Sequence, residues 1–214
     1  MTSKLKYLSI EFKCRYYQLG ELSESTKQIW FVLHGQGHLA KYFIKQFEPL
    51  DNSSNLIIAP EGLNRYYIDG FTGRVGATWM TKEDRLTDIG NYINFLNTIH
   101  DEVLSSAPAN ITINLLGFSQ GVATVTRWAL QKHINFHRLI LWAGIFPYDM
   151  DFDLGKQKLK DVEIFSVLGN KDPYVNDKII MEQMDYETRL GLEVKKIRFD
   201  GEHELNAEVL KSFM

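Results

Sequence analysis

Apolar runs of strand length alternate along most of this chain with segments of helical period, and that alternation leaves few folds open. "QIWFVLHG", "NLIIAPEG", "ITINLLGF", "RLILWAGIF", "VEIFSVLG" and "LEVKKIRF" read as strands, and most are apolar at nearly every position. Such runs belong to strands buried on both faces, as in a parallel sheet. Between them lie helical stretches: "LAKYFIKQFEPL", Asp84 to Leu104, Gln120 to about His133, Val175 to Leu190, and a closing helix with Leu205, Val209 and Phe213 on one face. Thr81 is placed to cap the second of these helices. "YLSIEFKCRYYQL", near the N-terminus, is β-rich and alternating. The pattern predicts an α/β fold: a mostly parallel sheet covered by helices on both faces, in one domain spanning residues 1–214. Ligands on such sheets sit at the carboxyl ends of the strands, so each polar or glycine-rich tail after a strand is a candidate piece of a site.

Composition narrows the partners. A formal net charge of −3 gives no electrostatic case for nucleic acid or an anionic membrane. No stretch approaches a membrane span, and no apolar N-terminal core suggests a signal peptide. The one cysteine, Cys14, forms no internal disulfide and suits a reducing, cytoplasmic setting. Histidines and carboxylates lack the spacing of metal ligands, so neither metal nor cofactor is expected. The oligomeric state is left open.

One tail stands out. "LLGFSQG", Leu115 to Gly121, places a serine between two glycines directly after a strand and before a helix. Gly-x-Ser-x-Gly arises by chance in roughly one chain in twenty of this length, so its context has to carry the weight. Here the context is the strand–turn–helix that a nucleophile elbow requires. The alternative is a serine that merely caps a helix.

A serine nucleophile needs a base, and the base needs a carboxylate that fixes its tautomer. Of the six histidines, His100 and His133 fall on helices and His137 precedes a strand, where surface or capping roles are expected. His34 ends a strand, where backbone hydrogen bonds would orient its ring, and His38 begins the next helix. Only His203, in "FDGEHEL", occupies a short loop between the last strand and the last helix. Asp172, in "LGNKDPYV", follows another strand and is kept out of helical geometry by Pro173. Asp149, Asp151 and Asp153 are weaker alternatives. Ser119, Asp172 and His203 therefore stand in the order Ser…Asp…His, each after its own strand. The backbone N–H of Gln120 and that of Gln36, in "LHGQG", are the candidate donors to an oxyanion.

At these residues the chain resembles the α/β-hydrolase superfamily, and within it the phospholipase/carboxylesterase family that includes acyl-protein thioesterases. The resemblance runs from about Ile29 to the C-terminus and rests on "LHGQG", "GFSQG", "GNKDPYV" and "GEH". It implies an α/β-hydrolase fold without a large lid, and a serine hydrolase acting on small-molecule acyl esters or thioesters through an acyl-enzyme. "GATWM" resembles the family's aromatic stretch before the long helix and implies Trp79 near the acyl pocket. "WAGIFP" is similar to a pocket-lining segment and implies Ile145 and Phe146 there, which favours short to medium acyl chains. The chain departs from the family at His38, where an aspartate is usual, and over "APEGLNRYYIDGFTGRVG". The alternatives are a ligand-binding relative without catalysis and a small serine peptidase.

Overall fold

The computed structural model describes residues 2–131 and 133–214. Seven strands form the main sheet: β1 (Tyr16–Leu19), β2 (Gln28–Leu33), β3 (Asn55–Pro60), β6 (Thr112–Phe118), β7 (Arg138–Trp142), β8 (Glu163–Gly169) and β9 (Val194–Phe199). Their order is β1-β3-β2-β6-β7-β8-β9, and only the edge strand β1 runs antiparallel to its neighbour. The other two strands, β4 (Asn64–Tyr67) and β5 (Val75–Thr78), make a separate antiparallel hairpin.

The period of two along each strand sends alternate side chains into two cores. Phe31, Ile58, Leu115 and Leu141 face one way, against α2 (Arg85–Leu104), α3 (Gln120–Ala129), α4 (Phe152–Leu159) and α5 (Asp177–Leu190). Trp30, Ile57, Leu116 and Ile140 face the other way, against α1 (Ala40–Phe43), the 3-10 segment Ile44–Leu50 that continues it, and α6 (Ala207–Lys211). Both faces of the sheet are covered, which is why its strands read as apolar throughout.

Several elements differ from the sequence reading. Of the alternating stretch 7–19 only Tyr16–Leu19 forms a strand, because that segment alone pairs with β3. Leu8, Ile10 and Phe12 remain exposed. The first helix is α-helical for one turn and then tightens to 3-10 geometry around Pro49, whose ring nitrogen has no proton to donate. Thr81 does not cap α2: Asp84 holds that position, in a left-handed conformation with φ 47°, and Thr81 Oγ1 accepts from Glu83 N instead. The helix after Ser119 ends at Ala129 rather than near His133, and Lys132 lies outside the described residues. Helix α4, capped by the Asp151 side chain, has no counterpart in the sequence reading. Among the described residues no helix is long and apolar enough to cross a membrane.

Between β3 and β2 the chain order runs one way, and from β2 to β6 it reverses direction across the sheet. The carboxyl ends of β2 and β6 thus flank a topological switch point, the place where sheets of this kind leave a crevice. Glu61, directly after β3, ties the rim of this crevice together. Its buried carboxylate accepts from Arg15 Nε at 2.7 Å, from Arg65 at 3.3 Å and from Ala40 N at 3.1 Å, joining the N-terminal segment, the hairpin and α1. Both arginines are partly exposed and would regain water if the charge were lost. Replacing Glu61 by Gln is therefore expected to cost about 1–3 kcal/mol, not the larger sum for a fully buried pair. Urea unfolding measures the loss, and faster proteolysis within residues 64–76 should accompany it; an unchanged midpoint would contradict this role.

Candidate active site

Ser119 sits at the sharp turn between β6 and α3 with φ 54° and ψ −118°, one of three described non-glycine residues with positive φ. Such a conformation costs on the order of 1–3 kcal/mol and persists only where the surroundings enforce it. The enforcement is visible in the flanking glycines. A Cβ on Gly117 would come within 2.3 Å of Gly121 O, and one on Gly121 within 2.2 Å of Leu33 O. A Cβ on Gly144 would meet Ser119 O at 2.9 Å. Side chains at these positions are thus excluded by neighbouring backbone. Ser119 N donates to Trp142 O at 2.8 Å, which pins the turn to β7.

Asp172 and His203 come together from the loops after β8 and β9. Asn170 N donates to Phe199 O and Lys171 N to Gly201 O, both at 2.9 Å, so the two loops are stitched to each other. Asp172 is buried; its Oδ1 accepts from Tyr174 N at 2.9 Å and its Oδ2 lies 2.7 Å from His203 Nδ1. A carboxylate partner selects the tautomer in which Nδ1 donates, and in the neutral form of that ring Nε2 keeps its lone pair. The imidazole packs against Phe118 and Tyr174, with ring centroids 4.9 and 4.7 Å away. Ser119 and His203 open onto the same cavity of about 710 Å³. Ser119 Oγ itself makes no hydrogen bond among the described residues.

The other acidic candidates are engaged elsewhere. Asp149 pairs with Arg127 at 2.6 Å and with Arg85. Burial alone would raise its pKa, but the hydrogen bonds from the two arginines outweigh that and hold it below the usual range. Asp151 caps α4, and Asp153 lies in the first turn of that helix.

Gln36 N and Gln120 N make no hydrogen bond among the described residues, while their neighbours do. Gly37 N donates to Ala77 O at 2.8 Å and Ala77 N to His38 O at 3.1 Å, which locks the turn after β2 onto β5. The Gln120 side chain reinforces that lock: its Oε1 accepts from Trp79 N at 3.1 Å and its Nε2 donates to Met80 O at 3.0 Å. The two free N–H groups are thus held at adjoining strand ends, and one opens a helix whose positive dipole end faces Ser119.

His34 is fully buried. Its Nδ1 lies 2.8 Å from Gly35 O and its Nε2 accepts from Gly62 N at 2.9 Å, so both nitrogens serve the backbone of the crevice. Trp79 is also fully buried, donating from Nε1 to His34 O at 2.8 Å and packing on the His34 ring at a 31° tilt. Phe146 is buried in the core beneath α5, its N–H bonded to Gln183 Oε1, and Ile145 packs against the same core. None of these three lines the cavity on Ser119. The aromatic surface there comes instead from Phe43, Phe118, Tyr42, Tyr66 and Tyr174. Tyr66, Ile68 and Arg74, from the hairpin and its turn, complete one wall; the spacing of "NRYYID" before "VGAT" is the sequence signal for that hairpin. His100, expected at the surface, is buried against Phe31 and Trp128. His137 accepts from Ile113 N at 3.0 Å and so caps the start of β6. No group of three or more His, Cys, Asp or Glu placed to hold a metal ion occurs among the described residues.

The sequence profile of the phospholipase/carboxylesterase family matches residues 21–213. The chain belongs to this family of hydrolases. Its fold is shared by acyl-protein thioesterase 2 of Zea mays, at 19% identity and TM-score 0.69, over 93% of this chain and 97% of that one. Esterase PE8 is similar, at 19% identity and TM-score 0.69 over 94% and 96%. So is a carboxylesterase of Mesorhizobium loti, at 16% identity and TM-score 0.69 over 94% and 93%. A search of curated protein sequences gave no significant match.

Burial holds the His34 pKa down, to about 4, against the hydrogen bond to Gly35 O that favours the cation. Below pH 6.5 the unfolded chain takes up this proton and the folded chain does not, so stability falls as pH drops from 6.5 toward 4. A shift of this size corresponds to about 3 kcal/mol. His38, also lowered by burial, acts in the same direction. Urea unfolding from pH 7 to pH 4.5 should show the loss, and His34→Gln, which cannot titrate, should flatten that slope. An identical slope in the variant would contradict a neutral, buried His34.

Proposed function

We propose that this hydrolase cleaves carboxylic esters or thioesters through an acyl-enzyme, with Ser119 as nucleophile, His203 as general base and Asp172 orienting the imidazole. The observation that carries this reading is the 2.7 Å contact between Asp172 Oδ2 and His203 Nδ1, which leaves Nε2 basic in a ring that opens onto the cavity of Ser119. Ser119 Oγ attacks the substrate carbonyl carbon as its proton passes to His203 Nε2. The bond to the leaving oxygen or sulfur then breaks, and that atom takes the proton from His203. A water molecule next adds to the acyl carbon, giving a proton to Nε2. The Oγ–carbon bond breaks, Oγ regains its proton, and the acid leaves. The negative oxygen formed in each half-reaction sits between the N–H groups of Gln36 and Gln120. Ser119 and His203 pair as the substrate excludes water from the cavity, as catalytic hydrogen bonds often tighten only in the complex.

Short to medium acyl chains remain the proposed substrates, although on different residues from those the sequence suggests. Phe43 and Phe118, both almost fully buried, are fixed walls of the cavity, whereas Trp79 and Phe146 lie outside it. The setting proposed is cytoplasmic, with no cofactor.

A series of p-nitrophenyl esters from acetate to palmitate tests both parts. Wild type should prefer the shorter esters in a graded way, since one methylene in a pocket is worth only about 1–3 kcal/mol. Ser119→Ala should lose about 10³-fold or more in kcat/KM while keeping its circular dichroism spectrum. A folded Ser119→Ala variant with near wild-type activity would overturn the mechanism. A wild type that binds esters without cleaving them would favour the non-catalytic alternative.

A further inference from the structure

The wall of the cavity has a charge character that the chain as a whole does not. The sequence carries 27 acidic and 24 basic residues, yet among the described residues no Asp or Glu lines the cavity on Ser119. Arg74 does line it, together with His38, Gln46 and the hydroxyl-bearing Tyr42, Tyr66 and Tyr174. Arg15, Arg65, Arg85, Arg127, Arg138 and Arg189 each face a carboxylate. Arg74 forms no ion pair among the described residues, as is also true of Arg198 on β9, but of these two only Arg74 lines the cavity. Its backbone is nevertheless fixed, because Arg74 O accepts from Ile68 N at 2.7 Å where the hairpin closes.

His38 stands on the same wall. Its ring stacks on Phe118 at 5.5 Å and 16°, and its Nδ1 is buried without a hydrogen-bond partner. Burial, then the charges of His203 and Arg74, push its pKa down, so all three groups act on one volume. A guanidinium that faces a cavity free of carboxylates is complementary to an anion, and its planar fork matches a carboxylate bidentately.

We infer that Arg74, with His38 beside it, receives a carboxylate carried by the ester substrate, so that the substrates this site favours are half-esters of dicarboxylic acids or esters whose alcohol bears a carboxylate. This rests on the hydrolase reading above and narrows its substrate class. The reaction is unchanged: water is consumed, the acyl–oxygen bond breaks, and the carboxylate takes no part in bond making. Arg74 is a specificity residue that acts mainly on KM.

Three chromogenic esters test it on the full chain. p-Nitrophenyl butyrate is neutral, p-nitrophenyl hemisuccinate carries the carboxylate on the acyl side, and 4-butanoyloxy-3-nitrobenzoate carries it on the leaving side. Each kcat/KM is divided by the rate of hydroxide hydrolysis of that ester, and the ratio of charged to neutral ester is then formed within each protein. In Arg74→Gln this ratio should fall about threefold for one of the two charged esters, through KM, as expected for a charge pair at a solvent-exposed site. The ester affected identifies the side that bears the charge, and Arg74→Lys should restore part of the ratio. If butyrate is cleaved and Arg74→Gln changes neither ratio, the carboxylate inference is wrong and the hydrolase reading stands. If no ester is cleaved by the folded wild type, the hydrolase reading fails and takes this inference with it.

Discussion

The close approach of backbone to backbone around Ser119 is the constraint on which the rest of the site depends. Gly117 lies against Gly121 and Val122, Gly121 against the carbonyl of Leu33, and Gly144 against the carbonyl of Ser119. These contacts allow β6 to turn into α3 within a single residue, at a backbone conformation that serine adopts only under compulsion. Because Leu33 is the last residue of β2, the same packing brings the turn after β2 beside the start of α3. The two unbonded N–H groups, of Gln36 and Gln120, are therefore neighbours as a consequence of the serine's geometry. One packing arrangement positions both the hydroxyl and these two N–H groups.

A further set of contacts holds this arrangement in place from outside the cavity. The Gln120 side chain clasps the segment Thr78–Met80, and Trp79 in turn hydrogen-bonds to His34 O and packs against the His34 ring. His34 commits both ring nitrogens to the backbones at the ends of β2 and β3. Such fully satisfied buried polar groups specify one arrangement of the strand ends, since each partner lost would leave another orphaned. Trp79 thus braces the strand ends and is not among the residues that line the cavity on Ser119.

The legibility of this protein in its sequence follows the range of the interactions involved. The strands are readable because burial on both faces leaves a continuous apolar run, as in "QIWFVL" and "RLILW". The serine turn is readable because its geometry demands small residues at fixed offsets. His203 and Asp172 stand out only by elimination among strand tails, and their contact is a product of topology that no local pattern encodes. The cavity wall is the least legible part. Trp79 and Phe146 have the size and apolarity of pocket residues, but those same properties suit a core, and the core holds them. One side of the wall comes instead from a hairpin of two four-residue strands, the first exposed throughout, so its periodicity carries little hydrophobic contrast. The N-terminal alternation misleads for the converse reason: the pattern of a strand is present over residues 7–15, but the sheet offers no partner there.

On the proposed mechanism, strain and position make the Ser119 hydroxyl reactive when other serines of the chain are not. Mass mapping after brief exposure to a fluorophosphonate tests this most directly, since the reagent phosphonylates only an activated serine. One adduct per chain is expected, on the peptide that contains Ser119, and none on protein unfolded in urea beforehand. An unlabelled folded protein, or an adduct on any other residue, would contradict it.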